Sequence, residues 1–171
     1  MKPRVGISSC LLGQAVRHDG GHKRDESLIA DLEPHVEWVP VCPEIEIGLG
    51  TPRPPIELQD IGGAIRLIMP STGRDLTGVM REYAERKVEA LADMRLAGYV
   101  LKSRSPSCGL GSTPVVNSSA GRDELNSGVF AAVLRARLPG LPIEEETRLR
   151  DAAARDSFLQ RILSYSPGRN M

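Results

Sequence analysis

The sequence predicts an α/β fold: a mainly parallel sheet flanked by helices, in one domain with a C-terminal helical extension. Three observations carry that expectation. Short β-rich apolar runs alternate with segments of helical period, no internal repeat or low-complexity block interrupts them, and 171 residues are enough to bury a core without staples.

The elements follow in order. "RVGIS" (4–8) reads as a buried strand that ends in the turn-like "SSCLLG". After the loop "HDGGHKRDES" (18–27), Asp25 is placed to cap a short helix running through Leu32. "VEWVPVC" (36–42) is a second strand, stopped by Pro43. "GLGTPRPPIEL" (48–58) carries too much Gly and Pro for regular structure. "AIRLIMP" (64–70) reads as an edge strand closed by Pro70. Met80, Ala84, Val88, Leu91 and Leu96 recur at helical spacing, which predicts a helix over 76–97 with Gly98 in its left-handed terminating position. "GYVLK" (98–102) is a further strand and "VFAAVLRARL" (129–138) a helix. "IEEETRLRDAAARDSFLQRIL" (143–163) reads as one last charged helix, with acids in its first turn. Residues 1–142 are therefore expected to form the core, and 143–171 a C-terminal helix packing on it.

Lys and Arg together number 22, as do Asp and Glu, so the formal charge is zero. That argues against a broad electrostatic grip on nucleic acid, and 4% aromatic residues provide few stacking platforms for single strands. No apolar run reaches the length of a membrane span, and "MKPRVGISSC" turns polar too early for a signal peptide. The expectation is a cytoplasmic protein without a membrane partner.

Three cysteines remain, an odd number in a compartment that disfavours disulfides. Cys10, Cys42 and Cys108 share one context, each following a short apolar run. In a parallel sheet the C-terminal strand ends lie along one edge, so three thiols distant in sequence converge there. Cys-Pro at 42–43 and Ser-Cys-Gly at 107–109 are loop chemistry rather than core chemistry. Converging thiols admit several uses. A zinc ion would take them with His18, His22 or His35, although no paired CxxC knuckle is present. A nucleophilic cysteine could use His22 as its base, leaving two thiols unexplained. A four-iron cluster held by three thiolates would leave one iron open to a soft substrate atom. Spacing alone does not choose between iron and zinc.

The neighbouring residues sharpen the site. Glu44, beside Cys42, is placed for general acid–base work, the plainer reading being a salt bridge to an arginine. Ser105 and Ser107 flank Pro106 and offer hydroxyls to sulfide or substrate, while Ser103 reads as ordinary turn capping. Gly109 would let the backbone approach a bulky cluster. His22, Lys23 and Arg24 follow a Gly-Gly turn and offer contacts to an anion.

The set "SSCLLGQAVRHDGGHKRD", "VPVCPEIEIGLGTPR", "GRDLTGVMREYAERKVE", "LKSRSPSCG" and "GVFAAVL" resembles the thiouracil desulfurase family, in order from about Val5 to Leu138. The resemblance implies a Rossmann-like domain carrying a [4Fe–4S] cluster on Cys10, Cys42 and Cys108, with one open iron. It implies non-redox removal of sulfur from 2-thiouracil or a related thiolated pyrimidine, giving uracil and hydrosulfide: the substrate sulfur binds the open iron and water replaces it at carbon. By motif position, Glu44 and Ser105 are the implied catalytic pair. One departure is Arg17-His18, where many relatives carry Arg-Tyr, and 140–163 resembles a junction at which some relatives continue into a second domain. The alternatives are a non-catalytic iron–sulfur or zinc protein, and a sulfur carrier linked to tRNA thiolation in which Cys108 passes on a persulfide. Free base, nucleoside and thiolated tRNA all stay open as substrates.

Overall fold

A computed structural model describes residues 1–118 and 124–168. In chain order the elements are β1 (Arg4–Ser8), α1 (Glu26–Leu32), β2 (Glu37–Val41), α2 (Pro43–Glu46), β3 (Glu57–Ile61), β4 (Ala64–Met69), β5 (Arg74–Asp75), α3 (Thr77–Asp93), β6 (Gly98–Leu101), β7 (Thr113–Val116), β8 (Leu125–Asn126), α4 (Val129–Arg137), β9 (Ile143–Glu145) and α5 (Ala152–Ser164). Four strands form a parallel sheet in the order β2-β1-β6-β9. No described helix is long and apolar enough to cross a membrane.

The period-2 alternation of strand side chains divides this sheet between two cores. Val5, Ile7 and Val100 meet Leu28, Ile29 and Leu32 of α1 and Phe158 and Ile162 of α5. On the other face Tyr99 and Leu101 meet Met80, Ala84, Val88 and Leu91 of α3 and Phe130 and Leu134 of α4. All four residues of β6 are buried, as expected of a parallel strand covered on both faces. Each fully buried aliphatic or aromatic side chain contributes about 1.5–3 kcal/mol of transfer free energy. The strand ends are therefore anchored from both sides.

Several expectations need correction. Residues 143–145, read as the start of a helix, are strand β9, in register with Tyr99–Leu101 of β6. The helix begins only at Ala152, where the Asp151 side chain accepts a hydrogen bond from the Ala154 amide. The acids that resemble a helical first turn have partners in the strand arrangement instead: Glu144 pairs with Arg161, and Glu145 accepts from the Leu110 amide. Helix α3 stops at Asp93, short of 97. Arg95, not Gly98, takes the left-handed conformation, at φ 59°, and the Ala97 amide then bonds the Arg4 carbonyl of β1. Gly98 serves packing, since a Cβ there would lie 2.9 Å from Ile162.

A second sheet, β5-β4-β3-β7-β8, was not expected. β3 begins at Glu57, inside the stretch read as irregular, and β4 is not an edge strand: it lies between β3 and β5, antiparallel to both. Leu58, Leu67, Met69 and Val115 of this sheet close the core under α3 and α4.

The first turn of α4 holds the loop that carries Cys108. The free amides of a helix N-terminus need acceptors, and here the loop supplies them. Gly128, Val129 and Ala131 donate to the carbonyls of Gly109, Pro106 and Ser107 at 2.8, 3.2 and 3.1 Å. So close an approach excludes a side chain at 128, where a Cβ would lie 2.4 Å from the Ser107 carbonyl carbon and 2.7 Å from the Cys108 amide nitrogen. Gly128→Ala is expected to cost about 1–3 kcal/mol as an overpacking change, read as a lowered urea midpoint.

Candidate functional site

The C-terminal ends of β2, β1 and β6 are neighbours on one edge, and each delivers a thiol. After β1 the chain makes a 3-10 turn over Ser9–Leu12, closed by Gly13 at φ 89°, and the Cys10 carbonyl accepts from the amides of Gly13 and Lys23. After β2, Cys42 caps the one-turn helix α2, with Pro43 at the first helical position, where no amide is needed. Glu46 reaches back to accept from the Cys42 amide at 3.2 Å and is itself held by Lys87 at 2.7 Å. After β6, Ser105 Oγ accepts from the Cys108 amide at 3.0 Å and organises the turn.

Cys10, Cys42 and Cys108 line one cavity of about 370 Å³, together with Glu44, Arg53, Ser105, Ser107, Lys102 and His18. Among the described residues no three His, Cys, Asp or Glu side chains close on a position fit for one metal ion. His22 is not among the cavity-lining residues: its Nδ1 accepts from the Arg24 amide. The His35 amide bonds the Leu32 carbonyl at the end of α1. Of the three histidines only His18 faces the thiols' cavity.

Glu44 makes the salt bridge to an arginine that was the plainer reading of it. It lines the cavity, and its Oε2 lies 3.6 Å from Nη2 of Arg53, a guanidinium with 3% of its side chain exposed. Arg53 is further fixed by the carbonyls of Val16 and Gly50, at 2.7 and 2.8 Å. Ser107 Oγ donates to Glu44 Oε2 at 3.3 Å and lies 3.1 Å from Ser105 Oγ. A hydroxyl has one proton, and a carboxylate is a better acceptor than a thiol, so Ser107 gives its proton to Glu44 and Ser105 donates to Ser107. The result is a directed chain, Ser105 to Ser107 to Glu44.

Ser103 does more than cap a turn. Its amide and hydroxyl donate to buried Glu146, at 2.7 and 2.6 Å, and Lys102 Nζ joins the same carboxylate at 3.2 Å. Gly109 also has another purpose than the one expected. A Cβ there would lie 2.1 Å from Thr113 Oγ1 and 2.9 Å from the Ser105 carbonyl, so the glycine admits the protein's own β7. Arg53, Ser8 and Glu146 were not singled out from the sequence. An arginine set among prolines in "TPRPP" was the one available hint.

Burial dominates the thiols. It pushes Cys10 up to about 11, against the pull of the Lys102 ammonium, and Cys108 up to about 12, opposed chiefly by the Ser8 hydroxyl. Cys42 is also raised by burial, which backbone hydrogen bonding in α2 partly opposes. Cys10 feels the charge of Cys42, and Cys108 that of Cys10, as groups around one cavity must. Without metal the three are neutral thiols at pH 7, and a metal must displace their protons to bind.

A stability consequence follows from these directions. A proton held more tightly in the folded than in the unfolded chain stabilises the fold below the unfolded pKa, and that gain is lost as pH rises through the folded value. Metal-free protein should therefore lose stability from about pH 9 towards about 12. Urea midpoints measured across that window should fall less steeply in Cys10→Ala and Cys108→Ala than in the unsubstituted chain.

With this geometry in view, comparison with known proteins is informative. The sequence profile of the 2-thiouracil desulfurase family matches residues 5–146. YbbK of Bacillus subtilis (strain 168), an uncharacterised protein, is 32% identical over 151 residues, 85% of this chain and 97% of its own. The solved structure of a [4Fe-4S]-dependent thiouracil desulfidase, TudS, superposes with a TM-score of 0.72 at 31% identity, covering 91% of this chain and 99% of that one. Fold and sequence agree, and the chain belongs to the 2-thiouracil desulfurase family.

Proposed function

We propose that this protein is a [4Fe–4S]-dependent desulfurase that converts 2-thiouracil or a related thiolated pyrimidine, with water, to uracil and hydrosulfide. The observation that carries the proposal is the meeting of three soft thiols from adjacent strand ends in one cavity that also holds Glu44 and Ser105. The residues fit such a cluster: three sulfur donors line one cavity, and soft sulfur suits iron–sulfur chemistry. Cys10, Cys42 and Cys108 would hold the cluster, which would supply a Lewis acid for the substrate's sulfur.

The remaining work belongs to the chain. Attack of water at the thiolated carbon releases a proton, and Glu44 is the carboxylate positioned to take it. Ser107 and Arg53 fix the same Glu44 oxygen, restricting the side chain's rotamers. The Ser105 hydroxyl, at the head of the directed chain, is placed to pass a proton through Ser107 to Glu44 or back to the ring. Val41, Ile56 and Pro55 give the cavity an apolar wall, which limits bulk water around the ring. No electron enters or leaves the balance: one C–S bond is exchanged for one C–O bond. Three reduced thiols fit a cytoplasmic setting, and a small pyrimidine suits a cavity of about 370 Å³.

Purification without oxygen tests the reading. The protein should be brown, contain four irons per chain, as the proposed cluster requires, and release sulfide from 2-thiouracil, whereas the iron-free form should not. Cys10→Ser, Cys42→Ser and Cys108→Ser should each fail to retain the cluster; full iron content and activity in any of them would remove that residue as a ligand. A colourless zinc protein, or a brown one inert towards every thiolated pyrimidine, would leave the electron-carrier or zinc reading in its place. Glu44→Gln keeps size and hydrogen bonding, so cluster content should persist while turnover falls by about 10²–10⁴, the usual loss for an acid–base group. An unchanged rate would make the carboxylate structural.

A further inference from the structure

Behind the Cys10 side of the cavity lies a polar network that the proposed chemistry does not use. Glu146 is 2% exposed, a carboxylate with almost no access to water. It accepts from the Ser103 amide and hydroxyl at 2.7 and 2.6 Å and from Lys102 Nζ at 3.2 Å. Lys102 Nζ also donates to the Ser103 carbonyl at 2.9 Å and lies 3.3 Å from Ser103 Oγ. All three ammonium protons thus have acceptors within the protein, so Lys102 acts on its surroundings through its field rather than by donating to a ligand.

That field has a direction. Lys102 lines the thiol cavity, whereas Glu146 lies on a separate surface cavity that shares Lys102 as its wall. The pair is a dipole whose positive end lines the cavity that holds the three thiols. Lys102 is tied to the end of β1 as well, since its amide donates to Ser8 Oγ at 3.0 Å, two residues before Cys10. Arg53, a buried cation of the same cavity, is already committed to Glu44 and two carbonyls.

Three thiolates outnumber the charge of a resting [4Fe–4S]²⁺ core, so a loaded site is anionic, and a buried anion is costly without a nearby cation. We propose that Lys102 is the charge-compensating residue of the cluster site and that Glu146, with Ser103, is the positioning residue that holds its ammonium against the Cys10 side. The inference rests on the cluster reading above. Glu146 serves by orientation, and Lys102 by lowering the cost of holding thiolate ligands in a dry cavity.

The test reads the cluster rather than turnover. Replacing Lys102 alone would strand a buried carboxylate, so the informative variant is Lys102→Gln with Glu146→Gln, which removes both charges and keeps hydrogen-bonding groups. In anaerobically loaded protein its reduction midpoint, followed by electron paramagnetic resonance, should move to more negative potential. Iron loss to the chelator bathophenanthroline should speed up by about tenfold, the factor carried by one pK unit of charge interaction. Lys102→Arg should retain the unsubstituted potential. Identical potential and iron-loss rate in the double variant would make the pair purely structural and overturn the inference alone. Unsubstituted protein that takes up no cluster would overturn the underlying reading, and this inference with it. Should the double variant not fold, Glu146→Gln alone leaves the cation uncompensated and should move the midpoint positive; an unmoved midpoint there overturns the inference equally.

Discussion

The site depends on the pairing of β1 with β2 on one side and β6 on the other. Only a parallel arrangement brings three strand C-termini to one edge, and only a central β1 makes them adjacent. The pairing is held by burial on both faces, because Val5, Ile7, Val100, Tyr99 and Leu101 are inaccessible to solvent. Any shift in register by one residue would exchange the two sets of core side chains. The positions of the thiols are therefore inherited from the cores rather than from interactions among the thiols themselves.

The surroundings of the thiols are economical in charge. Two cations of the site are matched to carboxylates, buried Arg53 to Glu44 and half-buried Lys102 to Glu146. A pair of opposite charges avoids the desolvation penalty of a lone ion and still has a direction, so it can favour charge of one sign at a chosen point. The two pairs differ in which end faces the cavity. Glu44 presents its carboxylate, linked to two serine hydroxyls. At the other pair the cation is turned inward and the carboxylate is withdrawn behind it.

Much of this was legible in the sequence, and what was missed has physical causes. β1, β2, β6, α1 and α4 follow from local pattern, and the Asp25 cap is where a capping side chain was expected, accepting from Leu28. Convergence of Cys10, Cys42 and Cys108 followed from topology, since parallel order implies a shared edge. The second sheet escaped because its strands are short, and β3 emerges directly from a proline-rich run. β9 escaped because three consecutive acids resemble a helix start. Their partners come from distant segments, Ser103, Leu110 and Arg161, and no local pattern encodes such pairings. Arg53 is legible only once the loop is folded, when a guanidinium among prolines is seen to be buried.

The Arg-His pair at 17–18 can now be placed in the architecture. The loop after the first 3-10 turn and the loop after α2 are stitched together by backbone groups: the Arg53 amide donates to the His18 carbonyl at 2.8 Å, and Thr51 Oγ1 donates to the Arg17 carbonyl at 2.7 Å. Arg53 Nη1 adds the Val16 carbonyl. The cavity wall is thus framed by carbonyls that any side chain at position 18 would present equally well. The imidazole itself lines the cavity, so exchanging tyrosine for histidine changes the surface offered to a ligand while leaving the frame intact. At position 18 the carbonyl that helps hold the wall and the imidazole that faces its interior are separate groups, so the frame does not depend on the side chain.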